Sequence, residues 1–227
     1  MRLTNRVSAF DRLDVYYDGG RRSAALNMAV DEALLETAAT SAIRFYGWVR
    51  PSVSFGYFGK FRAAAEAGVD RDLVRRWTGG GIVLHGTDLT YSIIVPATNH
   101  YLVRSPLDLY SDVHTAIRET LLEGGVNAVL ANFASQKISD ACFANPVRSD
   151  VLVDGKKVAG AAQRRTRAGL LQQGSIQLEN LGSNFTERFV RALCPSSRPR
   201  SINNEITQRA HEIAEQKYAQ RSWLERR

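Results

Sequence analysis

The 227-residue sequence reads as an α+β protein, a mixed and largely antiparallel sheet flanked by helices. Three observations carry that reading. Short runs rich in β-branched and aromatic residues alternate with longer runs of helical periodicity. Two apolar runs bracket Asp154-Gly155, a strong local signal for a β-hairpin. Helical stretches are interposed irregularly rather than after every strand, which argues against a doubly wound parallel sheet.

Residues 24–38 show Leu26, Ala29, Val30, Ala33 and Leu34 at helical spacing behind Ser23, a suitable N-cap. Residues 42–48 and 52–58 are strand-like and are joined through Arg50-Pro51. A short helix is expected over 60–68, and a strand over 73–77 runs into Thr78-Gly79-Gly80-Gly81. Strands over 82–85 and 89–95 follow, with Gly86-Thr87-Asp88 as the turn between them. Residues 106–122 place Leu109, Val113, Ile117 and Leu121 on one helical face, and Gly124-Gly125 ends that helix. Residues 131–149 have no period and read as a loop. After the Asp154-Gly155 hairpin, 169–178 is a strand pair or a bent strand, and 184–193 and 203–224 are helices.

Composition narrows the class. Hydrophobic residues make up 44% and charged residues 23%, which excludes collagen, coiled coil and wholesale disorder. No apolar run reaches 18 residues, so no membrane span is expected. MRLTNRVSAFDRLD has basic residues but no apolar stretch behind them, so no secretory signal is expected either. Two cysteines, Cys142 and Cys194, do not make a disulfide scaffold, and a reduced, cytoplasmic setting follows. The net charge of +7 favours an acidic partner. Over 147–168, six basic residues stand against two acidic ones, either as a solvated face or as a steering surface.

Three segments can carry chemistry. Arg75-Arg76-Trp77-Thr78-Gly79-Gly80-Gly81 leads through Ile82-Val83-Leu84 to His85. Successive glycines cost backbone entropy on folding, so they suit a sharp bend or a close approach to a ligand. Backbone N–H groups there can hold a carboxylate or phosphate oxygen, with Arg75 or Arg76 adding charge. Neither a Walker A nor a dinucleotide spacing is present. Cys142, in Asp140-Ala141-Cys142-Phe143-Ala144-Asn145-Pro146, lies in the loop rather than on an apolar stripe. Such a thiol beside cations can become a nucleophile, or can simply be a small partly buried residue. In Gly155-Lys156-Lys157-Val158-Ala159-Gly160-Ala161-Ala162-Gln163, strand alternation places Lys157 and Ala159 on one face. The small residues that follow leave room for a ligand along the strand. His85, His100, His114 and His211 show no metal-ligand spacing with the cysteines, so no metal site is expected. No stacking aromatics alternate with basic residues, which argues against nucleic acid. Asp31 and Glu32 need be no more than surface or cap charges on the first helix.

Taken in order, Asn27-Met28-Ala29-x-Asp31-Glu32, Arg-Arg-x-Thr-Gly-Gly-Gly-x-Val-x-His (75–85), Asp-Leu-Thr-Tyr-Ser (88–92), Gly-Lys-Lys-Val-Ala-Gly-x-Ala-Gln (155–163) and Leu-Gln-Gln-Gly-Ser-Ile (171–176) resemble the lipoate–protein ligase A and octanoyltransferase family. The resemblance covers about residues 24–180. It implies a fold like the biotin- and lipoate-transferring catalytic domains, related to class II aminoacyl-tRNA synthetase cores. A catalytic domain would occupy 1–185, with 186–227 as its C-terminal helical extension.

The resemblance also implies a reaction: transfer of an octanoyl group from acyl carrier protein to one lysine of a lipoyl domain or glycine-cleavage H protein. The Cys-Phe-x-x-Pro loop is similar to the one bearing the acyl-accepting cysteine in one octanoyltransferase branch. Cys142 would then be the nucleophile and Lys157 its electrostatic activator, with no cofactor. Arg75, Arg76, Thr78, Gly79, Gly80, Gly81, His85, Gly160, Ala161, Gln173 and Gly174 would line the substrate site. Gln173 stands where several relatives carry His. The alternative within the family is a lipoate–protein ligase using ATP and Mg with lipoate, alone or with a partner subunit.

Overall fold

The computed structural model describes residues 8–99, 102, 104–132 and 142–226, and at Cys142 the backbone alone. The leading MRLTNRV, His100, and residues 133–141 of the expected loop, with Asp140 and Ala141, lie outside it.

The chain runs β1 (Leu13–Arg22), α1 (Ala24–Thr37), β2 (Ala42–Trp48), β3 (Ser52–Phe55), α2 (Phe61–Ala67), β4 (Asp72–Arg75), β5 (Val83–His85), β6 (Leu89–Pro96), α3 (Pro106–Glu123) and β7 (Ala128–Leu130). A 3-10 turn at Cys142–Ala144 precedes β8 (Val151–Val153), β9 (Lys156–Arg165) and β10 (Gly169–Ile176). The chain then forms α4 (Phe185–Leu193), β11 (Ser197–Arg200), α5 (Asn204–Ile213), a π-helical segment Ala214–Tyr218 and α6 (Arg221–Leu224). Eight strands form one sheet in the order β11-β1-β2-β6-β10-β9-β8-β7, and three form a second in the order β4-β3-β5. In the large sheet only β1 pairs in parallel, with β11 and β2; the other pairs are antiparallel. The α+β, largely antiparallel reading holds.

The helices cover both faces of the large sheet because β2 and its neighbours carry two different apolar sets at period two. Ile43, Phe45, Tyr91, Ile93 and Val95 pack with Leu109, Val113 and Ile117 of α3 and Phe189 of α4. Ala42, Tyr46, Trp48, Ile94 and Leu171 pack with Met28, Val30 and Leu34 of α1 and Ile206 and Ile213 of α5. β10, buried at every position, is one strand in unbroken register between β6 and β9, not a strand pair. Helix ends obey local rules. Ser23 accepts from the Leu26 N–H at the start of α1, worth about 1 kcal/mol. Ser105 and Asp108 form a capping box around Pro106 at the start of α3.

Three differences from the sequence reading matter. β5 and β6 are not a hairpin: β5 pairs with β3 in the small sheet and β6 with β2 and β10 in the large one. The Gly86-Thr87-Asp88 segment therefore carries the chain from one sheet to the other, and β2 and β3 are divided in the same way. β1 and β11 also escape the pattern reading, because β1 contains Gly19-Gly20 with a bulge between Asp18 and Arg21, and β11 is a polar edge strand containing Pro199. The hairpin turn has Asp154 and Gly155 both at positive φ, 50° and 75°, as its signal requires. But β9 has an extra residue at Val158: Leu152 pairs with Lys157 and Val151 with Ala159. The bulge moves Lys157 off the face of Ala159 and onto that of Gly160. Among the described residues no helix is long and apolar enough to cross a membrane.

Candidate active site

The glycine bend, Gly79–Gly81, lies between β4 and β5 and faces the large sheet across a narrow space. Gly80 has φ of 85°, a left-handed conformation that glycine adopts without strain. Arg76 is buried and holds the bend from inside. Its Nη2 donates to the carbonyls of Gly79 (3.0 Å) and Gly81 (2.9 Å), and its Nη1 to Ser54 Oγ (2.7 Å). Thr78 Oγ1 donates to Gln173 Oε1 at 2.8 Å, and Gln173 Nε2 donates onward to Asp31 Oδ2 at 2.8 Å. Asp31 pairs with Arg44 at 2.7 Å and accepts from the Ser92 and Tyr46 hydroxyls. A continuous polar strut thus runs from α1 through β10 to the bend. Asp31 is fully buried and Glu32 nearly so, rather than exposed cap charges. Partners distant in sequence satisfy both, Glu32 accepting from Lys217 Nζ and the Tyr218 hydroxyl, each at 2.6 Å.

Arg75, expected beside the bend, does not border the space there. Its side chain points the other way, to the carbonyls of Tyr57 (2.9 Å), Gly59 (2.7 Å), Leu224 (2.9 Å) and Arg226 (2.8 Å). Alternation along β4 sends Arg75 and Arg76 to opposite sides. Arg76 serves the bend, and Arg75 locks the Gly56–Gly59 turn to the C-terminal residues.

His85 is buried at the far end of the same space. Its Nε2 meets Ser54 Oγ at 2.6 Å and its Nδ1 meets Asp88 Oδ2 at 2.8 Å. Its ring stacks on Trp48 with centroids 4.1 Å apart. Burial pushes the imidazole below its ordinary pKa against the pull of Asp88. Burial opposes ionisation of Asp88 too, yet bonds from His85, Ser175 and the Gly86 N–H hold its carboxyl below the usual range. Thr90 Oγ1 accepts from Trp48 Nε1 (2.8 Å) and donates to Asp88 (2.9 Å). One carboxylate therefore fixes both halves of the Trp48–His85 stack.

At the opposite end is Lys157. Its Nζ lies 2.8 Å from Asp150 Oδ2, with side-chain exposures of 2% and 0%. Asp150 also accepts from the Tyr110 hydroxyl and the Val147 N–H. The Tyr110 oxygen in turn receives the Ala161 N–H at 3.4 Å. The lysine stem passes directly over Gly160, where an added Cβ would fall 2.4 Å from Cε. The Cys142–Ala144 turn packs on β9, and the Phe143 ring centroid is 5.4 Å from Lys157 Nζ.

These residues line two connected cavities. An open groove of about 840 Å³ is walled by Gly79, Gly80, Gly81, Tyr110, Lys157 and Ala161. A tight slot between the two sheets is lined by Met28, Tyr46, Val83, Gly160, Gln173 and Gly174 among others. Ala161 and Ala162 border both, so the groove leads into the slot. The slot ends at Trp48 and His85, which also border an outer cleft containing Arg21, Arg50 and Arg71. Of the residues singled out from sequence, Arg76, His85, Gly160, Ala161, Gln173 and Gly174 meet in the slot. Gly79, Gly80, Gly81 and Lys157 line the groove, and Thr78 stands behind the bend. Asp150, Tyr110, Ser54 and Trp48 were not singled out. Each acts through a partner 30 or more positions away in sequence, Tyr110 and Asp150 through one another.

A family model described as the lipoyl protein ligase A/B catalytic domain matches residues 23–217. The chain is similar to octanoyltransferase LipM of Halalkalibacterium halodurans, 37% identical over 180 residues covering 72% of this chain and 65% of that protein. It is also similar to octanoyltransferase LipM of Anoxybacillus flavithermus, 35% identical over 230 residues covering 90% and 82%. The Bacillus subtilis octanoyltransferase LipM is 35% identical over 201 residues, covering 82% and 71%. The chain thus spans less than two thirds of the Halalkalibacterium protein in the matched stretch. Among solved structures, a lipoate-protein ligase A bound with ATP superposes with a TM-score of 0.70 at 19% identity, covering 95% of this chain and 98% of that one. A bi-partite lipoate protein ligase from Thermoplasma acidophilum, described with its E2 lipoyl domain, gives 0.69 at 18% identity, covering 94% and 95%. At these identities the structural likeness is one of fold. On the family match and the LipM relatives together, the chain belongs to the lipoyl protein ligase A/B catalytic domain family.

Proposed function

We propose that the protein transfers an octanoyl group from octanoyl-acyl carrier protein to a lysine of a lipoyl domain or H protein, through a thioester on Cys142. The observation that carries this reading is the placement of Lys157, an ammonium buried in the groove wall against the turn that begins at Cys142. The names of the relatives point the same way.

The Cys142 thiolate, which an ammonium beside it would favour, attacks the carrier thioester carbonyl. The carrier thiolate leaves and takes up the proton that Cys142 gave up. The acceptor amine, neutral when it reacts, then attacks the enzyme thioester. An amide forms, the Cys142 sulfur leaves as thiolate, and the amine's surplus proton passes to it or to water. The first exchange is nearly isoenergetic and the second is downhill, so neither step requires a nucleotide. Oxyanions in both steps would find N–H donors along the glycine bend and β9. The acyl chain would occupy the slot. About 30 Å³ is open there, so the slot would have to widen for the chain, with Met28 and its neighbours moving aside.

The test is intact-protein mass after mixing with octanoyl carrier protein. An octanoyl adduct on the wild type that is absent from Cys142→Ala supports the reading. An adduct that survives the substitution removes Cys142 from it. Acceptor lipoylation that depends on lipoate with Mg and ATP, and persists in Cys142→Ala, would replace it with the ligase reaction.

A further inference from the structure

A turn at the outer rim of the groove displays an aromatic ring to solvent. Phe58 is 86% exposed, at the tip of the Gly56–Gly59 turn, and borders the groove that holds Lys157. Isolated exposed apolar residues are ordinary, but this one rests on an unusual base. Gly59 N–H closes the turn on the Gly56 carbonyl at 2.8 Å. The buried Arg75 guanidinium binds three carbonyls of the same turn, those of Gly56, Tyr57 and Gly59. The Phe58 ring meets Tyr57 edge to face at 4.9 Å, and Tyr57 is held from behind by Arg226 (4.1 Å), Arg164 (4.8 Å) and Trp223 (5.7 Å). The ring is therefore presented on a rigid platform, with little side-chain or loop freedom left to lose on binding.

The surroundings fit a protein surface of opposite charge. Lys60 borders the groove beside Phe58, and Arg62, 93% exposed and loosely paired with Glu66 at 3.9 Å, follows it. Across the groove mouth Val147 is 44% exposed, with exposed Arg148 next to it. An aromatic anchor within a basic rim is the composition of a binding hot spot for an acidic partner.

From these observations we infer that the Phe58 turn, with Lys60 and Val147, is the docking surface for the acceptor domain, a small acidic domain offering one exposed lysine. This deepens the acyl-transfer reading and rests on it. The argument for the acceptor is reach. A lysine offers its nucleophile at the end of four methylenes, so the body of its domain must press against the groove rim for the amine to reach the thioester. A carrier protein delivers its acyl group on a much longer pantetheine arm, and its body can sit away from the rim.

The test uses the full chain with Phe58→Ala and Lys60→Glu. Direct binding of unmodified lipoyl domain is measured by calorimetry, and acyl transfer is followed in its two halves. Expected are at least a tenfold loss of lipoyl-domain affinity and a matching rise in its KM in Phe58→Ala. The rate of enzyme acylation by octanoyl carrier protein should stay within twofold of wild type. Lys60→Glu should weaken the acceptor by a smaller factor that salt reduces. Unchanged acceptor affinity in Phe58→Ala overturns the proposal. So does a defect confined to acylation by the carrier, which would assign the turn to the carrier protein. Because binding is read without chemistry, a wild type that binds lipoyl domain through Phe58 but never accepts octanoate would count against the reaction and leave the docking surface standing.

Discussion

Lys157 Nζ sits 2.8 Å from Asp150 Oδ2, and both side chains are buried. Each charge is the other's buried partner, so the carboxylate holds the lysine head in the groove wall beside the Cys142–Ala144 turn. Tyr110 and the Val147 N–H occupy other acceptor sites of Asp150, fixing the carboxylate in turn.

Removing one member of that pair strands the other. Asp150→Ala should cost about 3–5 kcal/mol of stability, whereas the double replacement Asp150→Leu with Lys157→Met should cost much less. Both should be inactive. Urea denaturation of the three proteins at neutral pH checks the pattern.

Gly160→Ala displaces the ammonium without removing it. Its new Cβ would meet Lys157 Cε at 2.4 Å and Nζ at 2.6 Å. The end of a flexible lysine can swing aside, but Asp150 is then left buried without it, so the melting temperature should fall by about 10 °C. The ammonium would leave its place, and we expect acylation of Cys142 to slow about a hundredfold, in the range general catalysis contributes. Stopped-flow acylation beside a thermal melt reads both.

The Trp48–His85 stack closes the end of the slot towards the arginine-lined cleft. Trp48→Ala should open that end. Preference should move from octanoyl towards decanoyl and dodecanoyl carriers, each extra buried methylene contributing about 0.8 kcal/mol where it is accommodated. Competition between carriers of different chain length, read by mass, gives the ratio.

His114 makes stability depend on pH. It is wholly buried, bonds Tyr110 O through Nδ1, and is pulled down to about 4 by burial, more than Asp150 raises it. Its folded pKa is thus depressed below the unfolded value of about 6.5. Its neutral form is fully compatible with the fold above that value. As pH falls from about 6.5 towards 4, the unfolded chain takes up a proton the folded one refuses, and up to about 3 kcal/mol is lost. His114→Asn should flatten that part of the stability profile, as denaturant titrations at pH 7 and 4.5 would show.

Local signals identified the elements whose reasons are local. Ser23 caps α1, Asp154-Gly155 turns the hairpin, and the triple glycine bends where the two sheets approach. What escaped depends on distant partners. Asp31 has no local mark of burial, because Arg44, Ser92 and Gln173 come from three other strands. Arg75 and Arg76 are adjacent and chemically alike, and only the small sheet decides which one faces the bend. β5 and β6 look like a hairpin because nothing in the Gly86–Asp88 segment shows that the chain changes sheets there. Lys157 was singled out and lies in the groove wall, but its face was misplaced, since a bulge is one residue of extra length that periodicity cannot reveal.

That extra residue at Val158 makes the reach of the ammonium a matter of counting. A single insertion in β8 opposite it would restore regular alternation and turn the amine towards hydrocarbon, with every sequence motif intact. Transplants of this hairpin into other scaffolds should therefore be judged by strand register before residue identity.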